Sequence, residues 1–143
     1  MQTTTEKTTI TVETTVNAPV EKAWKCWTDP KHITQWAFAS DDWHAPHAEN
    51  DLKVDGKFKT SMAAKDGSFG FDFEGVYSTV QENKLIEYTI ADGRKVSVSF
   101  TALGNQTTVV ETFEPENMNS LEMQKGGWQA IMDNYKKHTE ASK

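Results

Sequence analysis

The chain carries a single cysteine, Cys26, among 143 residues. An intramolecular disulfide is therefore excluded, the fold must rest on packing and hydrogen bonds, and a reducing cytoplasm is the expected compartment. Long apolar runs are missing too. No stretch approaches the roughly 20 residues that cross a bilayer, and Met1 to Lys7 lack the apolar core of a signal peptide, so a soluble, unexported chain without membrane insertion is expected. Basic residues are few, 15 Lys and Arg against 21 Asp and Glu for a net charge of −6. Phosphate backbones are held by clustered cations, so no nucleic-acid partner is expected. The one basic run, Lys136-Lys137-His138, falls late in a predicted helix, where cations complement the dipole. A glycine-rich phosphate loop and a Ser-His-Asp order in recognisable context are also lacking, and no cofactor is called for.

What is present begins with Asn17 to Trp36, which reads as two short helices. Pro19 and Pro30 suit first helical positions, and Asp29 suits the N-cap of the second helix. Val20, Ala23, Trp24 and Trp27 form one apolar stripe. Cys26 lies off that stripe with no base beside it in sequence, so it reads as a packing thiol. From Glu49 to Glu114, turn dipeptides recur at Asp55-Gly56, Asp66-Gly67, Asn83-Lys84, Asp92-Gly93 and Gly104-Asn105. The residues between them alternate with period two. Seven strands are predicted, at about 8–16, 47–54, 57–64, 68–80, 84–91, 94–103 and 106–115, forming an antiparallel meander. Leu121, Trp128, Ile131, Met132 and Tyr135 then recur at helical spacing, predicting a helix from Asn119 to about Thr139 that packs on the sheet through Leu121, Trp128, Ile131 and Tyr135. Gly126-Gly127 inside it must serve a bend, a close backbone contact or room for a ligand. At this length the chain is one α+β domain, 1–143, with residues 1–7 frayed.

Several blocks together carry a family resemblance: Asn17-Ala-Pro-Val-Glu-Lys-Ala-Trp24, Trp27-Thr-Asp-Pro-Lys-His-Ile-Thr-Gln-Trp36, Asp51-Leu-Lys-Val-Asp-Gly-Lys-Phe58, Phe73-Glu-Gly-Val-Tyr77 and Gly127-Trp128. The chain resembles the activator of heat-shock-protein-90 ATPase homologue family, within the START-like (SRPBCC) superfamily. The resemblance implies a helix-grip fold, in which a curved seven-stranded antiparallel sheet, with two short helices after strand 1, grips a long C-terminal helix across its concave face over a lipophilic pocket. Superfamily members bind lipids, sterols or polyketides, and some are cyclases or dehydratases. Where relatives often carry Trp-Trp-Gly-Pro after the second short helix, this chain has Trp36-Ala-Phe-Ala39, so ligand preference does not carry over.

The side chains aimed at one hollow by strand alternation and the helix stripe are Trp36, Phe58, Met62, Phe71, Phe73, Tyr88, Phe100 and Trp128, with Trp43 near the mouth. Phe69, Phe71 and Phe73 share a strand face, as ligand wall or as ordinary core, and Gly75 marks a predicted bulge. Glu111 shares a face with Val109 and Phe113. Either that face is inward, making Glu111 a buried acid, base or ligand anchor, or Val110 and Thr112 face the cavity and Glu111 faces water. His44 and His47, flanking Pro46, read as a solvated loop, and His32 and His138 as surface or helix-end residues; no metal site is expected. The leading expectation is a non-enzymatic binder of a small lipophilic molecule. An enzyme on such a molecule would use Glu111, Tyr88 or His47, and a chaperone-associated protein-binding module is the third reading.

Overall fold

A computed structural model describes residues 9–142; the expectation of a frayed 1–7 lies outside them. The order is β1 (Ile10–Val16), α1 (Val20–Thr28), α2 (Pro30–Ile33), β2 (Trp43–Asn50), β3 (Lys57–Ala64), β4 (Gly70–Gln81), β5 (Leu85–Ile90), β6 (Lys95–Leu103), β7 (Gln106–Phe113) and α3 (Leu121–Ala141). All neighbouring strands are antiparallel in a sheet of order β1-β7-β6-β5-β4-β3-β2, so β1 returns beside the last strand and β2 forms the far edge. The sheet curls around α3 as a helix grip, in an α+β architecture.

Local chemistry accounts for most of these elements. The five turns carry positive φ at Asp55, Gly67, Asn83, Gly93 and Gly104, matching the turn dipeptides. At the first of them the aspartate takes the left-handed conformation and the glycine does not. Gly56 is needed for another reason: a Cβ there would sit 2.0 Å from the Asp51 carbonyl oxygen. Asp29 caps α2 by accepting a hydrogen bond from the Lys31 N–H at 2.9 Å, with Pro30 as the first helical residue. Pro19 occupies the N-cap of α1, one place before the position predicted. Such one-residue shifts are common at helix ends.

Four features differ from expectation. β2 covers 43–50 in place of 47–54, so Trp43, His44 and His47 lie on a strand and not in a loop. Pro46 is tolerated because β2 is an edge strand and its register shifts between His44 and His47, the two settings in which a sheet accepts proline. The bulge predicted at Gly75 lies between Tyr77 and Thr79. Gly75 itself is regular, and its missing side chain makes room for the Phe58 ring. Third, α3 starts at the Ser120 cap, whose hydroxyl accepts from Met123 N–H at 3.1 Å. Leu121 is 50% exposed. Burial begins one turn later, at Gln124. Finally, His32 and His138 are half-buried and share a hydrogen bond at 2.8 Å.

The core is densest where α1 and α3 cover β1, β7 and β6. Val12, Val16, Val98, Val109, Phe113, Met132 and Tyr135 are almost wholly buried there. Each contributes on the order of 1.5–3 kcal/mol of apolar burial. The Tyr135 hydroxyl donates to the Ala23 carbonyl at 2.6 Å, which fastens α3 to α1. α3 runs along β1 rather than over β2–β4. The space between α3 and those far strands is left for other use.

Candidate ligand cavity

That space is a cavity of about 270 Å³. The short helices supply Trp27, Ile33, Trp36 and Ala37 from one side, and α3 supplies Trp128 and Ile131 from another. The sheet supplies the floor: Phe58, Thr60 and Met62 on β3, Phe71, Phe73 and Tyr77 on β4, Ile86 and Tyr88 on β5, and Glu111 on β7. Period-two alternation explains the floor, since alternate residues of β3 and β4 share a face. The aromatic rings are braced mutually. Phe58 packs against Tyr88 at 4.7 Å between ring centroids and against Phe73 at 5.7 Å, and Trp128 stacks on Phe113 at 3.7 Å while presenting its edge region to Phe73 at 6.0 Å.

Trp36 is fixed from two directions. Its indole N–H donates to the Cys26 carbonyl at 2.9 Å, and its ring lies 5.0 Å from that of Trp27 and 5.1 Å from that of Tyr135. The Trp36-Ala-Phe-Ala segment is tied to α3 as well, through the Asn134 side-chain amide donating to the Phe38 carbonyl at 2.6 Å. On the far wall the Tyr77 hydroxyl donates to Asn50 Oδ1 at 2.5 Å, and Asn50 Nδ2 donates to the Thr28 carbonyl at 2.6 Å, joining β4, β2 and the end of α1. Arg94 contributes at the cavity edge, but Asp92 and the Glu114 carbonyl already engage its guanidinium, at 2.8 and 3.2 Å.

Among the described residues, two acidic side chains line the cavity: Glu49, largely exposed, and Glu111, set within the apolar interior. The sheet register settles which way it points: its cross-strand partners are Val12 on β1 and Val98 on β6, both inward and almost fully buried. Only 6% of Glu111 is exposed. No group among the described residues donates a hydrogen bond to its carboxyl, and burial alone pushes the pKa up to about 8. Tyr88 faces the same space, and its hydroxyl is held far above the ordinary phenol value, first by burial and then by the nearby Glu111. At neutral pH both groups are predominantly protonated and can donate hydrogen bonds.

Of the residues expected to line one hollow, Trp36, Phe58, Met62, Phe71, Phe73, Tyr88, Glu111 and Trp128 do so. Phe100 does not. It lies behind α1, in edge contact with Trp24 at 5.2 Å and Trp27 at 6.1 Å, because α1 covers that end of β6. Trp43 is also outside the lining. It stands at the start of β2 against Phe69 and Phe71 at about 6 Å. Phe69 precedes β4, is 62% exposed and takes no part in the wall. His47 is exposed and is not a lining residue, although it is bonded at 2.9 Å to Glu49, which is. Sequence reasoning missed Trp27, Ile33, Ala37, Glu49, Asn50, Thr60, Tyr77, Ile86, Arg94 and Ile131 as lining residues. Thr60 was recoverable, since it lies between Phe58 and Met62 at period two. Tyr77 was hidden by the misplaced bulge.

The sequence profile described as Activator of Hsp90 ATPase homolog 1-like protein matches residues 17–140. The chain belongs to that family. A solution NMR structure of an AHSA1-like protein from Aeromonas hydrophila is 40% identical, with 94% of each chain covered and a TM-score of 0.89. A protein from Cytophaga hutchinsonii, also solved in solution, is 57% identical over 92% of this chain and 91% of its own, with a TM-score of 0.80. A crystal structure from Nitrosomonas europaea shares the fold at 17% identity and a TM-score of 0.82, covering 94% of this chain and 96% of its own. No match is found among curated proteins. No helix among the described residues is long and apolar enough to cross a membrane.

Proposed function

We propose that this family member binds a small, neutral, lipophilic molecule in the cavity, with the protonated Glu111 carboxyl donating one hydrogen bond to an acceptor on it. The observation that carries the reading is a buried carboxyl without a partner, set among aromatic walls. Leaving such a group unmatched is costly, and a ligand carbonyl or phenol oxygen would satisfy it. Volume narrows the class. An apolar cavity of roughly 150 Å³ accommodates benzene, so about 270 Å³ suits a compact bicyclic or flavonoid-sized molecule better than an enclosed sterol. Glu111 and Tyr88 facing one space also give a specific opening for proton transfer to a bound ligand. Binding is the better-supported role, because both groups are neutral donors near pH 7 and the other carboxylate on the lining, Glu49, is largely exposed and bonded to His47.

The test is an amide chemical-shift titration against a lipophilic library, with ligand recovery to detect turnover. Shifts on β4, β5, β7 and α3 are expected. Because the acceptor needs a protonated Glu111, affinity for a carbonyl-bearing ligand should fall about tenfold between pH 7 and pH 9, and the fall should vanish in Glu111→Gln. Shifts confined to the outer sheet face would refute the cavity reading. A chemically altered ligand would shift the proposal to an enzyme.

A further inference from the structure

Away from the cavity, three side chains converge where the helices meet. Cys26 lies near the end of α1, His32 in α2 and His138 in the last turns of α3. One ligand-capable atom of each lies within 4.8 Å of the other two. Cys26 is buried, whereas the two imidazoles are half-buried and reachable from solvent. The site proposed for the lipophilic ligand uses none of the three.

We propose that Cys26, His32 and His138 form a binding site for a zinc(II)-class cation, with one further position open to water. A thiolate with two imidazoles is a borderline-soft donor set suited to such an ion. The spacing is close to what coordination needs. Zn–N and Zn–S bonds of about 2.0 and 2.3 Å in a tetrahedron put the nitrogens roughly 3.3 Å apart and sulfur roughly 3.6 Å from each. Here His32 Nδ1 and His138 Nε2 stand 2.8 Å apart, so a small ring rotation opens the pair. The hydrogen between them moves to an outer ring nitrogen, leaving two lone pairs for the metal, and the Cys26 thiol releases its proton to solvent.

Thr139 supplies the second observation. Its Oγ1 is buried beside the Cys26 thiol and the Tyr135 hydroxyl, with no hydrogen bond of good geometry to any described residue. A metal-bound thiolate would give this hydroxyl the acceptor it lacks, as outer-shell donors commonly do for zinc ligands. Burial raises the Cys26 thiol above its ordinary value, and Thr139, Lys22 and Lys25 offset this only in part. The metal itself must therefore displace the thiol proton, while the two ammonium groups repel the incoming cation. With one anionic ligand and two nearby ammonium groups, affinity should be micromolar, a Kd of about 1–10 µM, and not the far tighter range of all-cysteine structural sites. Bound metal would lock α1 and α2 to the C-terminal end of α3.

Cobalt(II) is the probe for the full-length protein, kept reduced by a phosphine under anaerobic conditions. Titration should produce a thiolate-to-cobalt charge-transfer band, which zinc(II) bleaches as it displaces the cobalt, with release of about one proton per site. Cys26→Ser should abolish the band. His32→Asn and His138→Asn should each weaken binding about tenfold or more, while His47→Asn on β2 should leave it unchanged. If the cysteine variant fails to fold by circular dichroism, the wild-type protein still decides the matter. Zinc must move the ring resonances of His32 and His138 but not those of His44 and His47. Cobalt binding without the charge-transfer band, a band that survives in folded Cys26→Ser, or zinc shifts at His44 and His47 in place of His32 and His138 would overturn the site.

Discussion

Val12 and Val98 flank Glu111 across the two neighbouring strands, and this apolar setting makes the carboxyl a reporter of proton linkage. Its native pKa is raised to about 8, against about 4.3 in an unfolded chain. Between those values the native state holds the proton and the unfolded state has lost it, so stability falls as pH rises. The contribution is complete below about pH 4 and is lost by about pH 8, a change on the order of 3–5 kcal/mol. Urea midpoints measured from about pH 5 to pH 9 should fall steadily in the wild type and far less in Glu111→Gln. A wild-type profile as flat as that of the variant would show that the carboxyl is not buried. Trp128 offers a second residue-scale test. Its ring lies flat on Phe113 while remaining half-buried at the cavity, so Trp128→Ala should cost about 2–4 kcal/mol and enlarge the hollow. An unchanged denaturation midpoint would remove Trp128 from the core.

For elements, the two kinds of glycine have opposite prospects. A Cβ on Gly126 or Gly127 would meet no other atom within 4 Å, so neither glycine serves a close backbone contact. Both keep negative φ within a continuous helix. Gly126→Ala and Gly127→Ala should each raise stability by about 0.5–1 kcal/mol, through helix propensity and a less mobile unfolded chain. If either substitution lowers the melting temperature, the open space is not open. Lower ligand affinity in the stabilised variants would assign that space to the ligand. Gly75 in β4 is the contrary case. A Cβ there would sit 2.6 Å from the Thr89 carbonyl oxygen and 2.9 Å from the Phe58 ring. Gly75→Ala should therefore destabilise by about 2–3 kcal/mol, and near-neutral behaviour in thermal melts would mean that Phe58 does not occupy this notch.

Across the whole molecule, the unequal covering of the sheet sets both stability and access. α1 and α3 cover β1, β6 and β7, where every inward side chain of β7 is buried. α2 covers part of β2, while β3 and the start of β4 are covered mainly by the cavity, and most residues of these strands are half-exposed or exposed. Native-state amide exchange should therefore be slowest in β6 and β7 and fastest in β2 and in the β3–β4 hairpin near Phe69, since local opening is easiest where few apolar contacts are lost. Uniform protection across all seven strands would contradict this gradient. A ligand in the cavity should slow exchange mainly in the second group.

The sequence by itself determined the helix pair after the first strand, the hairpin turns, the meander and the long amphipathic helix. Each is written in short-range chemistry: Asp29 before Pro30, residues tolerant of positive φ at the turns, and a change of hydrophobic period after Pro115. Alternation also placed most of the aromatic floor, from Phe58 and Met62 to Phe73 and Tyr88. It could not orient Glu111, because Val109, Glu111 and Phe113 are compatible with either face until Val12 and Val98 are known to pair beside them. Nor could it place β2, whose Trp43–Asn50 segment has weak strand character and pairs only because β3 offers an open edge. Phe100 left the cavity for the same reason: which part of the inner face a helix covers depends on how α1 docks. The meeting of Cys26 and His32 with His138, 106 residues beyond His32, was likewise decided by tertiary structure alone, because contacts between distant segments leave no local period to read.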